Sequence, residues 1–218
     1  MADSVDIHPT PNAIANPSPT PNSTSTFHPR SIPTPALTPI PVIGFVAPSG
    51  TGKTTLIRQL VPLLRQRGLR VGYLKHSHHR IEVDRPGKDS YEIREAGASQ
   101  VLLATGERWI MQSAQRQPGQ DPDLPAMLAL FDPRLVDLIL VEGFKFSAYP
   151  KLEVHRAALA KPYLYPGDPT IRALISDASP PTGAHPPLLP LGDSGAIVDY
   201  LLSLLSQAGD QGDLSAVR

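Results

Sequence analysis

The chain of 218 residues carries 20 basic and 20 acidic side chains and contains no cysteine. Balanced charge favours neither a nucleic-acid partner nor an anionic membrane surface. The absence of cysteine excludes disulfides, thiolate metal sites and cysteine nucleophiles. No apolar stretch approaches the roughly 18 residues of a membrane span, and the first residues lack the apolar segment of a signal peptide. We therefore expect a cytoplasmic protein that binds neither nucleic acid nor membrane.

Proline is concentrated at the beginning of the chain. Ten of the 26 prolines precede Val42. Residues 1–41 are also rich in Ser, Thr and Asn and have almost no apolar periodicity, so they cannot bury enough surface to offset the entropy of folding. We predict a disordered tail over residues 1–41, one folded domain over residues 42–207, and a frayed C-terminus over residues 208–218.

Apolar runs alternate with helical repeats along the predicted domain. Residues 40–47 are typical of a strand buried on both faces of a sheet, and apolar residues recur at helical spacing from Thr54 to Leu64. Residues 71–76 predict a second strand. The later predicted elements are a helix over 90–96, a hairpin of strands over 100–105 and 108–113, a helix over 122–131, strands over 136–141, 152–155 and 171–176, and an amphipathic helix capped by Asp193. This order predicts a doubly wound α/β domain with a mostly parallel sheet and an antiparallel hairpin addition.

A glycine-bearing loop joins the first predicted strand to the first helix. Residues 47–54 read A-P-S-G-T-G-K-T and fit the phosphate-binding loop, except that Ala47 replaces its first glycine. Such a loop needs glycine because its backbone must curl until successive N–H groups point at one phosphate. The strand before it and the helix after it argue against a chance Gly-Lys-Thr turn. The predicted nucleotide-binding residues are Ser49, Gly50, Thr51, Gly52, Lys53, Thr54 and Thr55.

Two carboxylates are candidates for a Mg²⁺ site, since this ion prefers oxygen ligands. Glu142 ends the run L-I-L-V-E-G at the place of a Walker-B acidic residue, so we predict that it binds the metal and, with Lys53, serves as a catalytic group. The alternative is an ordinary carboxylate at a strand end. Asp84 follows the second strand, in a segment that resembles a conformational switch. A movement of this segment would bring the Asp84 carboxylate to the metal. Its alternative is a turn former beside R-P-G.

A histidine cluster follows the second predicted strand, where residues 75–79 read K-H-S-H-H. Imidazoles so close together suit a loop that contacts phosphate or substrate, a polar strand end, or a transition-metal site. The sequence leaves these three interpretations open.

These motifs, in this order, resemble the MobB family, the P-loop GTP-binding adaptor proteins of molybdopterin-guanine dinucleotide biosynthesis. The resemblance rests on S-G-T-G-K-T-T-L at residues 49–56, K-H-S-H-H at 75–79, D-R-P-G-K-D-S-Y-E at 84–92 and L-I-L-V-E-G-F-K at 138–145. It continues through P-K-L-E-V-H-R at 150–156 and A-L-I-S-D at 173–177, and covers residues 42–206. The first motif is shared by many NTPases, whereas the others are far more specific.

The resemblance implies a P-loop nucleotide-binding domain over residues 42–207 that binds GTP with Mg²⁺, hydrolyses it weakly and forms a homodimer. Its implied partners are molybdopterin and the molybdenum cofactor guanylyltransferase, which attaches GMP to it. Thr54, Asp84 and Glu142 would surround the metal. The usual Asn-Lys-x-Asp motif is absent. Asp177 is the candidate guanine reader, because its carboxylate accepts from N1–H and N2–H₂, which adenine lacks.

Two further functions stay open at this point. A P-loop phosphoryl-transfer enzyme, such as a small-molecule kinase or a ligase of the dethiobiotin synthetase type, shares the loop and the acidic strand ends. A nickel-chaperone GTPase would hold metal through His78 and His79, although the lack of cysteine and of a long His-rich tail counts against it. Arg156 is either an arginine finger that acts across a dimer or a surface charge.

Overall fold

The structure, a computed structural model, describes residues 40–77, 83–114 and 121–211, with side chains as far as Gln207. The strands are β1 (Val42–Val46), β2 (Val71–Lys75), β3 (Gln100–Ala104), β4 (Trp109–Ser113), β5 (Leu138–Glu142), β6 (Lys151–His155), β7 (Ile171–Ser176) and β8 (Leu188–Pro190). The α-helices are α1 (Lys53–Gln66), α2 (Asp89–Glu95), α3 (Leu124–Leu128) and α4 (Ser194–Gln211), and short 3-10 helices cover Ala157–Leu159 and Tyr165–Gly167. Within those described ranges, no helix is both long and apolar enough to cross a bilayer.

Six strands form a parallel sheet in the order β2-β5-β1-β6-β7-β8. The central strands β1, β5 and β6 are buried along their whole length. β1 and β5 read as nearly continuous apolar runs because helices cover both faces of the sheet, whereas β6 alternates apolar residues with the buried polar residues Lys151, Glu153 and His155. The parallel arrangement places the carboxyl ends of all six strands at one edge, where ligands bind in doubly wound folds.

Successive residues of the central strands alternate between two apolar layers. Ile43 and Phe45 pack with α1 and α4 on one face of the sheet. Val42 packs with Leu124 and Leu128 of α3 on the other face. This alternation follows from the period of two in an extended chain. The doubly wound α/β class predicted from the sequence is confirmed.

The predicted hairpin is present as a separate antiparallel sheet of β3 and β4, which packs with α2. Its pairing runs from Gln100 opposite Ser113 to Ala104 opposite Trp109. The six-stranded sheet is therefore entirely parallel, and the hairpin forms its own sheet instead of extending the main one.

The folded domain begins before Val42, the predicted boundary. Ile40 is only 2% exposed, and the carbonyl of Pro41 accepts a hydrogen bond from the Ile139 N–H at 2.9 Å. The predicted tail is therefore two residues too long at its C-terminal end, because these residues supply apolar surface and an acceptor to the sheet. The prediction for residues 1–39 lies outside the described residues, as do His78 and His79.

Two features near the C-terminus differ from the sequence prediction. The short strand β8 was not predicted, because its P-P-L-L-P context is unusual for a strand. β8 is the outermost strand of the sheet, where a missing proline N–H is tolerated. Helix α4 continues to Gln211, four residues beyond Gln207, the predicted end of the domain. An established helix extends readily, since each added residue adds one backbone hydrogen bond.

Candidate functional site

The glycine-bearing loop curls between the end of β1 and the start of α1. Gly50 and Gly52 have φ angles of +79° and +95°, in the left-handed region that residues with a Cβ rarely adopt. Thr51 is 2% exposed, and its hydroxyl donates to the Pro48 carbonyl at 2.7 Å. Helix α1 begins directly after Gly52, so its unpaired N–H groups and positive dipole end face the loop. The backbone therefore has the form that a phosphate requires.

Lys53 is held against the loop by the loop's own carbonyl groups. Its Nζ donates to Ala47 O at 3.0 Å and to Pro48 O at 3.2 Å. Burial lowers the pKa of Lys53, while the nearby Glu142 carboxylate acts in the opposite direction. A partly desolvated ammonium beside free backbone N–H groups fits an anionic ligand such as phosphate.

Glu142 ends β5 and receives three side-chain donors. The Thr54 hydroxyl donates to its two oxygens at 2.9 and 2.7 Å, the Tyr73 hydroxyl donates at 2.7 Å, and Lys75 Nζ lies 3.3 Å from Oε1. Burial by itself raises the pKa of Glu142, but these hydrogen bonds outweigh it, so the pKa lies below its usual value. Burial and the hydrogen bond to Glu142 raise the pKa of Tyr73, which therefore stays a donor. The carboxylate is ionised at neutral pH.

The oxygen atoms of Thr54 and Glu142 fit a magnesium ion. Lys75 Nζ lies 3.3 Å from both Thr54 Oγ1 and Glu142 Oε1, so a cation already stands beside this pair. Hydroxyl and carboxylate oxygens are ligands that Mg²⁺ accepts, with water and phosphate completing its shell. No group of three or more His, Asp or Glu side chains within the described ranges is able to hold a metal. A magnesium ion here would therefore take most of its ligands from phosphate and water.

The chain turns sharply after Glu142. Gly143 has φ +101°, and a Cβ on it would lie 2.9 Å from His76 Cβ. Phe144 also has a positive φ, of 49°, and its ring centroid lies 4.8 Å from that of His76. The Tyr149 hydroxyl donates to the Gly143 carbonyl at 2.8 Å. His76 is thus packed beside the turn that follows β5.

Comparison with known proteins assigns the chain that carries this loop and carboxylate to a family. The family model MobB, described as molybdopterin guanine dinucleotide synthesis protein B, matches residues 42–177. The chain belongs to the MobB family. It is 39% identical over 171 residues to the molybdopterin-guanine dinucleotide biosynthesis adapter protein of Escherichia coli, a match that covers 78% of this chain and 96% of that protein. The adapter protein of Haemophilus influenzae is 46% identical over 123 residues, covering 56% of this chain and 67% of that protein.

Solved structures of MobB proteins also resemble the chain. A crystal structure of molybdopterin-guanine biosynthesis protein B superposes with a TM-score of 0.60 at 26% identity, and covers 76% of this chain and 99% of that one. A Bacillus subtilis MobB structure gives a TM-score of 0.57, also at 26% identity, and covers 75% of this chain and 97% of that one. The family resemblance stated from the sequence is confirmed.

In this MobB chain, Asp84 does not join Glu142. Its Oδ1 accepts from the Arg85 N–H at 2.9 Å, and hydrogen bonding to the Ser90 side chain, with smaller contributions from Arg85 and Gln112, lowers the pKa of Asp84. Among the described residues, the two carboxylates share no hydrogen-bonding partner. The structure therefore does not bring these two carboxylates together, and the prediction that both face one ion stays a prediction, since the segment after residue 83 leads Asp84 to α2 and β4.

Two residues of the MobB motifs lie beside the loop or at the same sheet edge. Arg156 Nε donates to the Thr51 carbonyl at 2.8 Å, and an NH2 atom lies 3.4 Å from the place of a Cβ on Gly52. It therefore contacts its own chain's loop, which neither interpretation offered for it had foreseen. Asp177 follows β7, and its Oδ1 accepts from the Ala157 N–H at 2.8 Å.

Sequence reasoning missed Tyr73 and Lys75 as partners of Glu142. Both lie on β2, and Lys75 is opposite Glu142 in the pairing of β2 with β5. The signals for them were their position near the end of a predicted strand and, for Lys75, its place in the K-H-S-H-H motif. Their contact with Glu142 depends on β2 and β5 being neighbouring strands, and the local sequence pattern does not predict strand order.

Proposed function

We propose that this chain is a GTP-binding adaptor with weak GTPase activity that acts in molybdopterin guanine dinucleotide biosynthesis in the cytoplasm. The observation that carries the proposal is the pairing of Thr54 with Glu142 directly behind a phosphate-binding loop. The names of the relatives from Escherichia coli and Haemophilus influenzae support the pathway. The adaptor role in turn implies contact with the molybdenum cofactor guanylyltransferase and with molybdopterin.

The loop and the start of α1 would bind the nucleotide phosphates. Backbone N–H groups from Ser49 to Thr55 and the helix dipole favour negative charge. Lys53 exchanges its two carbonyl acceptors for oxygens of the β and γ phosphates. A phosphate would stabilise the charge of this half-buried ammonium more than the two neutral carbonyl groups do, because hydrogen bonds between oppositely charged groups are stronger.

Thr54 and Glu142 would hold Mg²⁺ together with the phosphates. When bound, the ion neutralises phosphate charge and polarises the phosphoryl oxygen. Tyr73 then keeps one Glu142 oxygen oriented, while Lys75 moves away from the position beside the pair. Asp84 is not included in this proposed ligand set, because its hydrogen bonds are to other elements.

Asp177 is the proposed reader of the guanine ring. It lies at the carboxyl end of β7, at the same sheet edge as the phosphate-binding loop. One carboxylate oxygen already accepts from the Ala157 N–H, which orients the group. The carboxylate would accept from guanine N1–H and N2–H₂ and would reject adenine, which presents an acceptor at N1.

A homodimer is proposed through the two-stranded sheet. Leu102 and Trp109 are 63% and 61% exposed, and Met111, opposite Leu102, is 40% exposed. Exposed apolar groups of this size on neighbouring strands favour burial against another protein surface. The family resemblance and these exposed side chains together support a second copy of the chain as the occupant.

Calorimetric titration with GTP and with ATP, with and without Mg²⁺, tests the proposed function. We expect tight, Mg²⁺-dependent binding of GTP and weak binding of ATP. Lys53→Ala should abolish GTP binding without unfolding the chain, whereas Lys161→Ala, at an exposed lysine outside the loop sequence, should bind like the wild type. GTP affinity unchanged in folded Lys53→Ala would contradict the proposal.

A further inference from the structure

Lys75 reaches the phosphate-binding loop from a distant part of the sheet. It ends the edge strand β2, with Glu142 opposite it in the pairing of β2 with β5. Its ammonium lies 3.3 Å from Glu142 Oε1 and 3.3 Å from Thr54 Oγ1. Burial is the main cause that lowers the pKa of Lys53, and the charge of Lys75 adds to it. Lys75 therefore belongs to the nucleotide site in space, although it lies outside residues 47–54.

Positive groups converge on a single carboxylate at this edge of the sheet. Glu142 attracts both Lys53 and Lys75. The N-terminal end of α1 adds a partial positive charge, and Arg156 donates to the Thr51 carbonyl of the loop. Like charges destabilise one another unless an anion lies between them. This excess of positive charge favours a ligand with several negative charges, which is the character of a nucleotide's phosphate chain.

The position of Lys75 in this structure conflicts with a metal ion at the same two residues. A divalent cation bound to Thr54 and Glu142 would share both oxygens with the ammonium and repel it. The Lys75 side chain is able to move, since it is 44% exposed and its four-carbon stem is flexible. Its backbone is held by the pairing of β2 with β5, so the ammonium stays within reach of the phosphate site.

We infer that Lys75 binds the γ-phosphate of a nucleoside triphosphate and thereby distinguishes GTP from GDP. In P-loop proteins a metal on the loop's Thr bridges the β and γ phosphates, so an ammonium beside Thr54 and Glu142 is close to the γ oxygens. Without a γ-phosphate, Glu142 is the anion that Lys75 contacts, as in this structure. The inference rests on the proposed function, because it assigns a further residue to the same nucleotide site.

The test compares two nucleotides by calorimetric titration of the full chain in excess Mg²⁺. The nucleotides are GDP and the β,γ-imido analogue of GTP, which is not hydrolysed. Lys75→Met removes the charge and keeps most of the stem, so it should weaken binding of the triphosphate roughly tenfold or more while GDP affinity stays within about twofold. Lys75→Arg keeps a positive charge and should retain most of the preference for the triphosphate. Lys75→Gln gives the same comparison if the Met variant does not fold.

Tyr73→Phe is the matched control for an effect through Glu142. Tyr73 lies on the same strand and donates to the same carboxylate, but it carries no charge. Its removal should therefore change the affinities for both nucleotides by the same factor and leave their ratio unaltered. This control separates a contact with the γ-phosphate from a change in the orientation of Glu142.

The ratio of the two affinities decides the inference. A selective loss of triphosphate binding in folded Lys75→Met, with the ratio preserved in Tyr73→Phe, supports it. An equal loss for both nucleotides, an unaltered ratio, or tighter binding of both in Lys75→Met overturns it, because Lys75 would then act only on Glu142 or on the metal. These results leave the proposed function intact, whereas a wild type that binds neither nucleotide contradicts the proposed function itself.

Discussion

The hydroxyl of Thr54 donates to both carboxylate oxygens of Glu142, at 2.9 and 2.7 Å, although the two residues are 88 positions apart in the chain. The contact joins the first turn of α1 to the end of β5. It exists because β1 and β5 are parallel neighbours, with Phe45 opposite Glu142. The loop that follows β1 therefore opens beside the carboxylate that ends β5.

Arg156 is expected to stabilise the loop for phosphate binding. Its guanidinium donates to the Thr51 carbonyl from the segment that follows β6. Arg156→Ala should lower GTP affinity about tenfold, equivalent to ~1.4 kcal/mol, with Arg156→Lys intermediate. Calorimetric titration measures both variants. Arg172→Ala, at an exposed arginine on β7, is the control; an equal loss in that variant would show a general charge effect instead.

Gly143 is expected to be intolerant of a side chain. Its φ of +101° is unfavourable for other residues, and a Cβ would lie 2.9 Å from His76 Cβ. Gly143→Ala should lower the free energy of unfolding by about 1–3 kcal/mol, as measured by urea denaturation. Gly106→Ala, which meets no atom within 4 Å, is the control and should change it little. Equal stability of both variants would show that the turn relaxes freely.

The ion pair of Arg70 with Asp137 predicts a dependence of stability on pH. Asp137 accepts from the Arg70 backbone N–H and guanidinium, and these hydrogen bonds lower the pKa of Asp137 to about 2, from an ordinary 3.8. Because the folded pKa is the lower one, the stabilisation is complete above pH 3.8 and disappears as the pH falls towards 2. Asp137→Asn should therefore lower the melting temperature at pH 7 and progressively less below pH 3.8.

The control for this prediction is Asp199→Asn, which breaks the more exposed pair with Arg67. Exposed pairs contribute little to stability, so its melting temperature should stay near that of the wild type at every pH. A difference between wild type and Asp137→Asn that is constant from pH 7 to pH 3 would contradict the ionic explanation.

The exposed side chains of the two-stranded sheet predict self-association. Leu102→Ser combined with Trp109→Ser should convert a dimer into a monomer, because it removes the two most exposed apolar groups of that sheet. Light scattering coupled to size exclusion measures the mass. Leu130→Ser, which changes an exposed leucine after α3, should leave the mass unaltered. A monomeric wild type at micromolar concentration would refute the proposed dimer.

The elements that sequence reasoning predicted well are those with a strong local pattern. Sequence patterns were sufficient to predict the buried strands β1 and β5 and the glycine-bearing loop. A buried parallel strand and a phosphate-binding turn each restrict the residue types that they accept. These features also fixed the positions of Lys53, Thr54 and Glu142 in the candidate site.

Features that depend on long-range packing could not be predicted from the sequence. Arg156 and Tyr73 become part of the site only because β6 and β2 lie where they do in the sheet. The position of Asp84 in the sequence suggested a metal ligand, yet in the structure its segment lies against Ser90 and β4. Strand order and the direction of a loop are set by contacts between distant segments, which periodicity and motif spacing do not encode.

The most direct test of the proposed nucleotide site is a Mg²⁺ titration of GTP affinity in wild type and Glu142→Gln. The amide keeps the shape of the side chain but removes its charge, so the Mg²⁺ concentration needed for half of the effect should rise about tenfold, while binding without Mg²⁺ survives. Asp84→Asn provides the comparison and should titrate like the wild type, since Asp84 is bonded elsewhere. An unaltered Mg²⁺ dependence in folded Glu142→Gln would contradict the assignment of Glu142 to the metal.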